Sequence, residues 1–304
     1  AMAGIVVQDL MLRRRDFRIT TTSTAARPFE LRGWRLPSEI LLWALVLGIL
    51  VVPLAGLVAT SLVPSYGVPL TAASATLENY AYVMFDHAAS RRAFANSFGL
   101  SAAAAVVIVV VSVPLAYFLV WRRSRMLRLL NLAAELPYAL PGVVLAIAAI
   151  LIFLKPLPVF GVSLYNTIWI IFFCYVARFL VLGLRPVASG YHQLDRTLEE
   201  AAQVAGAGLL RRLVTIILPL VAPAATAGAL LVFLTAFNEL TVSALLWSSG
   251  NETLGVVVFS FEQGGDSTYA AALAVLTVIV TLALMLATLL FARKLPQGVL
   301  PWRD

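Results

Sequence analysis

Charged residues are scarce: they fill 12% of the 304 positions, about half the share of an ordinary soluble domain. So few charges do not clothe a water-facing surface, which excludes a soluble globular protein. A single cysteine, Cys174, sits inside an apolar run, so there is no disulfide framework and the thiol reads as a small buried hydrophobe. The two histidines, His87 and His192, are far apart and have no cysteine cluster near them, which leaves a catalytic metal site without ligands. No Gly-x-x-x-x-Gly-Lys-Ser/Thr run occurs, so the chain does not hydrolyse ATP by a phosphate-loop route. An intramembrane enzyme would need a catalytic set that is missing. The net charge of +7 comes without basic patches interleaved with exposed aromatics, and nucleic acid is not an expected partner.

What is abundant is apolar surface, at 61% of residues and a mean hydropathy of +0.94. It gathers into six runs, each near the twenty or so residues that cross a hydrocarbon core. They lie at about Glu39 to Val63, Asn96 to Trp121, Leu129 to Leu154, Thr167 to Leu184, Leu220 to Trp247 and Thr268 to Ala292. Ser38 is the candidate N-cap of the first, after Pro37. Pro53 and Pro114 predict bends, and Pro137 with Pro141-Gly142 loosens the first half of the third run. The expectation is an all-α integral membrane protein with six transmembrane helices. Residues 1–37 form a basic N-terminal arm, 38–295 the transmembrane domain with a polar loop at 185–219, and 296–304 a tail. Of the 22 Lys and Arg, seven lie in the arm, four in the turn at Arg122 to Arg128, four in the 185–219 loop and three in the tail. Only Arg91, Arg92 and Lys155 fall on the opposite side, and Arg178 lies within a run. The positive-inside rule therefore predicts both termini and the 185–219 loop to be cytoplasmic.

That loop carries the most ordered polar pattern in the chain. Asp195, Glu199 and Glu200 start a short helix whose acidic first turn suits the positive end of a helix dipole, and Gly206 closes it. A second helical piece, Leu209 to Leu218, precedes Pro219. Glu200-Ala201-Ala202, three residues, Gly206, nine residues and then Ile216-x-Leu218-Pro219 resembles the signature loop of permease subunits in binding-protein-dependent ABC importers of the type I fold. The resemblance implies the type I ABC importer permease fold in a bacterial inner membrane. It also implies that Glu199, Glu200, Ala201, Ala202, Gly206, Ile216, Leu218 and Pro219 form a coupling helix that docks in a groove on an ATPase. Such a chain is not itself an enzyme. ATP and Mg would be bound by two partner ATP-binding cassette subunits, with no cofactor in this chain. A second permease subunit, identical or paralogous, and a periplasmic or extracellular solute-binding protein complete the implied assembly.

Several polar groups stand inside apolar runs. Glu135 and Arg178 count to one depth, about 9 Å from the ends of their runs, which predicts an ion pair between the third and fourth. Asn238, Glu239, Thr241 and Ser243 come late in the fifth run and are candidates for lining the path of a polar solute, the alternative being a helix-end carboxylate in contact with water. The apolar stretch Leu254 to Phe261 is too short to span and suits an interfacial or gate-forming segment facing the binding protein. Residues 239–259 look most like the iron(III)-type branch of these permeases, which also holds systems for phosphonates and phosphorylated sugars. Iron(III) is thus the first substrate expectation, with phosphonate, sugar phosphate or polyamine as alternatives. A different class, an ion-gradient-driven secondary transporter, would want discontinuous helices and paired repeats, and the sequence displays neither clearly.

Overall fold

The computed structural model describes residues 32–122, 125–156 and 161–292. The arm up to residue 31, Arg123 and the tail from Arg293 lie outside the described residues. No strand occurs among the described residues. In lipid an α-helix meets its own backbone hydrogen bonds, and these apolar runs take that solution.

Five helices are long and apolar enough to cross a membrane, and a sixth span forms if one bent pair is counted together. The first, α1, runs Arg35–Ser61 after a 3₁₀ turn at Arg32–Trp34. It starts before the expected Ser38 cap because Pro37 is tolerated in a first turn, where its missing N–H has no intrahelical partner to lose. Two units make up the chain, residues 1–56 and 57–304. In the first, Arg35 Nε donates to Glu39 Oε1 at 2.8 Å on the surface of α1.

In the second unit a short helix α2, Glu78–Ala81, passes through a wide turn into α3, Ala88–Tyr117. The expected start of α3 at Asn96 is eight residues late: His87 caps the helix, with Ser90 N–H donating to its Nδ1 at 3.2 Å. The third run is broken outright. Helix α4, Arg125–Ala139, and α5, Gly142–Phe153, meet at 110°. Pro141 disfavours helical geometry at Leu140 before it and has no N–H to continue the ladder, so Pro141 becomes the N-cap of α5. The fourth helix, α6, extends to Ile168–Gln193, nine residues beyond the expected end. Packing carries it on: buried Tyr191 donates to Val113 O at 2.9 Å and stands edge-on to Trp121. The signature region contains α7, Thr197–Val204, and α8, Leu209–Arg212. Then come α9, Leu218–Phe237, the short α10, Ser243–Leu246, α11, Leu254–Gly264, and α12, Ser267–Ala292. The fifth run thus ends as a helix at Phe237, ten residues before the expected Trp247.

Helices α3, α6 and α9 pack on one another as the core of the second unit. Ile108, Tyr175, Phe179, Cys174 and Val232 fill its middle, and Val113, Leu184, Tyr191 and Val221 fill the end nearer the signature loop. Close approach is set by small residues, as membrane helices require: a Cβ on Gly228 would lie 3.0 Å from Gly183 O. The faces turned away, such as Val106, Val110 and Val111 of α3 and Ile279, Leu282 and Leu286 of α12, stay apolar and exposed. A helix apolar all round is one made for lipid.

At the end away from the signature loop, α11 folds back against α12 and α3, burying Leu254, Val257 and Phe261. A polar clasp holds its approach. Arg92 donates to both Glu252 oxygens at 3.1 and 3.3 Å, Asn96 Nδ2 bonds the carbonyls of Gly250 and Glu252, and Leu254 N–H donates to Ser97 Oγ at 2.9 Å. Burial alone would raise the Glu252 carboxyl, but the bonds from Arg92 and the Gly250 N–H outweigh it and hold the group below its ordinary value of 4.5. Its stabilising contribution is therefore complete above the unfolded value and is lost as pH falls through the lower folded one. The melting-temperature difference between wild type and Glu252→Gln should stay constant from neutral pH to about pH 5 and shrink below about pH 4. Calorimetry on detergent-solubilised protein checks this, and a pH-independent difference would refute it.

Candidate functional site

The signature helix α7 is built to show one face and bury the other. Asp195 accepts from Thr197 N–H at 3.0 Å, which satisfies an end N–H and holds the Asp195 carboxyl below its usual range. At the other end Gly206 adopts φ +81°, with Ala207 N–H donating to Ala202 O and Gly206 N–H to Gln203 O, both at 3.0 Å. This pair of bonds is a Schellman closure, and it needs a left-handed residue where Gly206 stands.

The two adjacent glutamates part company. Glu199 is buried: it pairs with the guanidinium of Arg212 at the end of α8 and accepts from Tyr117 Oη at 3.0 Å, while Arg212 Nη1 also reaches Gln203 Oε1 at 2.9 Å. Its expected place on the docking face is therefore corrected; it is the peg that fastens α7 to α8 and to the end of α3. Glu200, about 100° round the helix, is exposed and pairs with Arg196 at 3.1 Å on the surface. Leu198, Ala201 and Val204 are exposed as well, Val204 at 90%, and Leu210 of α8 stands nearby in sequence at 76%. Ala202 is half-buried and Gly206 exposed. Sequence reasoning missed Tyr117 and Arg212, because a partner 82 or 13 residues away leaves no periodic trace.

Beyond α8 the chain does not stop at Pro219 as expected. A wide π turn at Leu213–Ile217 joins α8 to α9, and Leu209 to Phe237 forms one span. The proline ring would clash with the carbonyl four residues back, and widening the preceding turn relieves that clash. Ile217 is the buried side chain here; Ile216 is half-buried, and Leu218 and Pro219 face outward.

The second polar site lies within the bilayer part. Arg178 stands ten residues from Ile168 and fifteen from Gln193, about 15 and 22 Å along α6, hence near its middle. The expected pair with Glu135 does not form. Glu135 meets Arg185 at 3.5 Å, two turns further along α6, and Arg178 Nη1 donates to Leu140 O at 3.1 Å. The depth count took α6 to end at Leu184; it runs on to Gln193, so Arg178 lies deeper than counted and Arg185 meets Glu135 instead. Glu239 stands just beyond the end of α9, with its carboxylate turned to backbone rather than to water. Its carboxylate accepts from Thr241 Oγ1 at 2.5 Å, from Val242 N–H at 2.9 and 3.1 Å and from Ser243 N–H and Oγ at 3.2 and 3.3 Å. It is 8% exposed and closes the turn between α9 and α10. Ser243 is buried against Tyr175 Oη at 2.7 Å, whereas Asn238 and Thr241 remain exposed. The two breaks meet: a Cβ on Gly142 would fall 1.9 Å from Thr241 Oγ1, so only glycine fits at the start of α5. Around this junction an open cleft of about 480 Å³ is lined by Tyr138, Arg178, Phe179, Thr235, Asn238, Glu239, Leu240 and Thr241. Among the described residues no group of three or more His, Cys, Asp and Glu side chains gathers to hold a metal.

Removing one partner of a buried ion pair costs about 3–5 kcal/mol, while replacing both by apolar residues is often neutral. Glu199→Ala should therefore speed hydrogen exchange in residues 195–207 by two orders of magnitude or more, and Glu199→Leu with Arg212→Met should restore most of the protection. Unchanged exchange in Glu199→Ala would disprove the peg.

The chain resembles known proteins in the same terms. The family of binding-protein-dependent transport system inner membrane components matches residues 108–300. A probable ABC transporter permease protein, y4fN of Sinorhizobium fredii, is 30% identical over 99% of this chain and 54% of its own length, so the chain spans about half of that relative. The trehalose/maltose transport system permease MalG of Thermococcus litoralis is 33% identical over 77% of this chain and 82% of its own. Other relatives are named for Fe(3+) and for spermidine/putrescine transport, matching 59% and 52% of this chain. Among solved structures, a chain of a bacterial ABC transporter importing the acidic polysaccharide alginate superposes with a TM-score of 0.67 over 88% of this chain and 97% of that one, at 16% identity, which bears on the fold alone. A family match over residues 108–300, a long alignment to MalG and five or six apolar spans agree, and the chain belongs to the binding-protein-dependent transport system inner membrane components, the multi-pass, non-catalytic permease subunits of ABC importers.

Proposed function

We propose that the exposed face of α7 is the docking surface for a cytoplasmic ATPase, and that closing of paired ATPase subunits moves α9 and so opens a solute path beside the cleft. The observation that carries this reading is the unpartnered apolar face Leu198, Ala201 and Val204 beside Glu200, on a helix whose other side is pegged by Glu199. A short helix with an apolar stripe and one charge suits a groove on another protein. Burying Leu198, Val204 and Leu210 would be worth about 1.5–3 kcal/mol each. The continuous run from Leu209 to Phe237 supports transmission, because a displaced α8 carries α9 with it.

In this reading both termini and α7 are cytoplasmic, a second permease completes the pore, and a soluble receptor delivers solute at the α11 end. The relatives named for trehalose/maltose, Fe(3+) and spermidine/putrescine leave the iron expectation without special support.

Val204→Asp and Glu200→Arg should each remove the ATPase from the affinity-purified assembly, with at least a ten-fold loss of affinity for the first, since about 1.4 kcal/mol is tenfold. Full retention of the ATPase by both variants would rule out this docking face.

A further inference from the structure

The cleft where the two helix breaks meet displays more hydrogen-bond donors than the chain uses. Thr235 gives its hydroxyl proton to Leu231 O at 2.7 Å, Asn238 Nδ2 donates to Leu234 O at 3.0 Å, and Thr241 donates to Glu239. The acid in the lining is spent too, since both Glu239 oxygens accept from their own turn. Arg178 is different. A guanidinium carries five N–H donors in a fixed fork, and here one of them meets Leu140 O. Arg178 makes no ion pair among the described residues. Tyr138, 46% exposed, lines the same cleft.

The Leu140 carbonyl at the negative end of α4 takes one N–H of the guanidinium and leaves the rest of the fork for another partner. A permanent cation in the middle of a span is costly to insert. Arg178 lines the open cleft, and Glu239, the acid in that lining, is turned into the backbone. Resting on the permease reading, we propose that Arg178 is the charge-selecting residue of the solute path and that the solute is an oxyanion, a carboxylate or phosphate ester. Two parallel N–H groups of the guanidinium match two oxygens of such a group, with Tyr138 as an additional donor. A polyamine or a free ferric ion would meet like charge at this point, and a neutral sugar would leave the charge unanswered.

The test uses the whole assembly with its ATPase and binding protein in proteoliposomes, and radiolabelled glucose 6-phosphate, galacturonate, spermidine and maltose as probes. An oxyanion probe should accumulate on ATP addition. Arg178→Gln, which keeps an N–H for Leu140 O but drops the charge, should cut that accumulation at least ten-fold, and Arg178→Lys, which keeps the charge without the fork, should fall between Arg178→Gln and wild type. Accumulation of spermidine or maltose, or of neither oxyanion, overturns the proposal. So does wild-type uptake by Arg178→Gln, or loss of the second permease from that variant, which would make the residue a subunit contact. Should Arg178→Gln fail to assemble, competition on wild type decides: excess galacturonate must slow glucose 6-phosphate uptake, and excess spermidine must not. Failure of the permease reading itself shows separately, as a wild-type assembly that purifies without any ATPase.

Discussion

A backbone group left without a partner in hydrocarbon costs several kcal/mol, and a membrane helix is broken only where something else meets that cost. Here two breaks lie side by side, at Leu140–Gly142 and at Asn238–Val242, and a charged side chain serves each. Arg178 meets the carbonyl just beyond the end of α4, where a helix dipole is negative, and Glu239 takes the N–H groups that open α10, where it is positive. Each charge thus faces the end of opposite sign. Tight contact of Gly142 with Thr241 then locks the breaks together.

That arrangement puts irregular backbone, and with it polar side chains, in the middle of an apolar bundle without exposing unpaired groups to lipid. It is a general way to open a polar route through a membrane, and it occurs beside α6, the helix that stays whole. The intact α3, α6 and α9 provide a frame, and the bent α4–α5 and α9–α10 segments provide the chemistry.

The signature region couples to the same frame. Tyr117 of α3, Glu199 of α7 and Arg212 of α8 form one buried polar knot, which ties α7 directly to two spans. The wide turn at Leu213–Ile217 lets the chain pass Pro219 without a sharp stop. A proline that reads as a terminator therefore acts as a bend within a continuous rod.

Much of this was legible in the residues alone. Run lengths and the lack of charge dictate a helical membrane bundle, because hydrocarbon thickness and backbone satisfaction leave no other fold for such runs. The spacing of Glu200, Gly206 and Pro219 pointed to a short polar helix in this loop, and Gly206 does close it, since a left-handed C-terminal residue is a local demand. Helix ends inside the membrane were not legible. Whether Pro114, Pro141, Pro186 or Pro219 bends, breaks or is simply carried depends on neighbours such as Tyr191 and Thr241, which are distant in sequence. The same holds for the choice of partners: Glu199 with Arg212, Glu135 with Arg185, Arg178 with Leu140. Composition and periodicity act along the chain and determined the class and the handle; which charge meets which group is decided across it, once packing has set the distances.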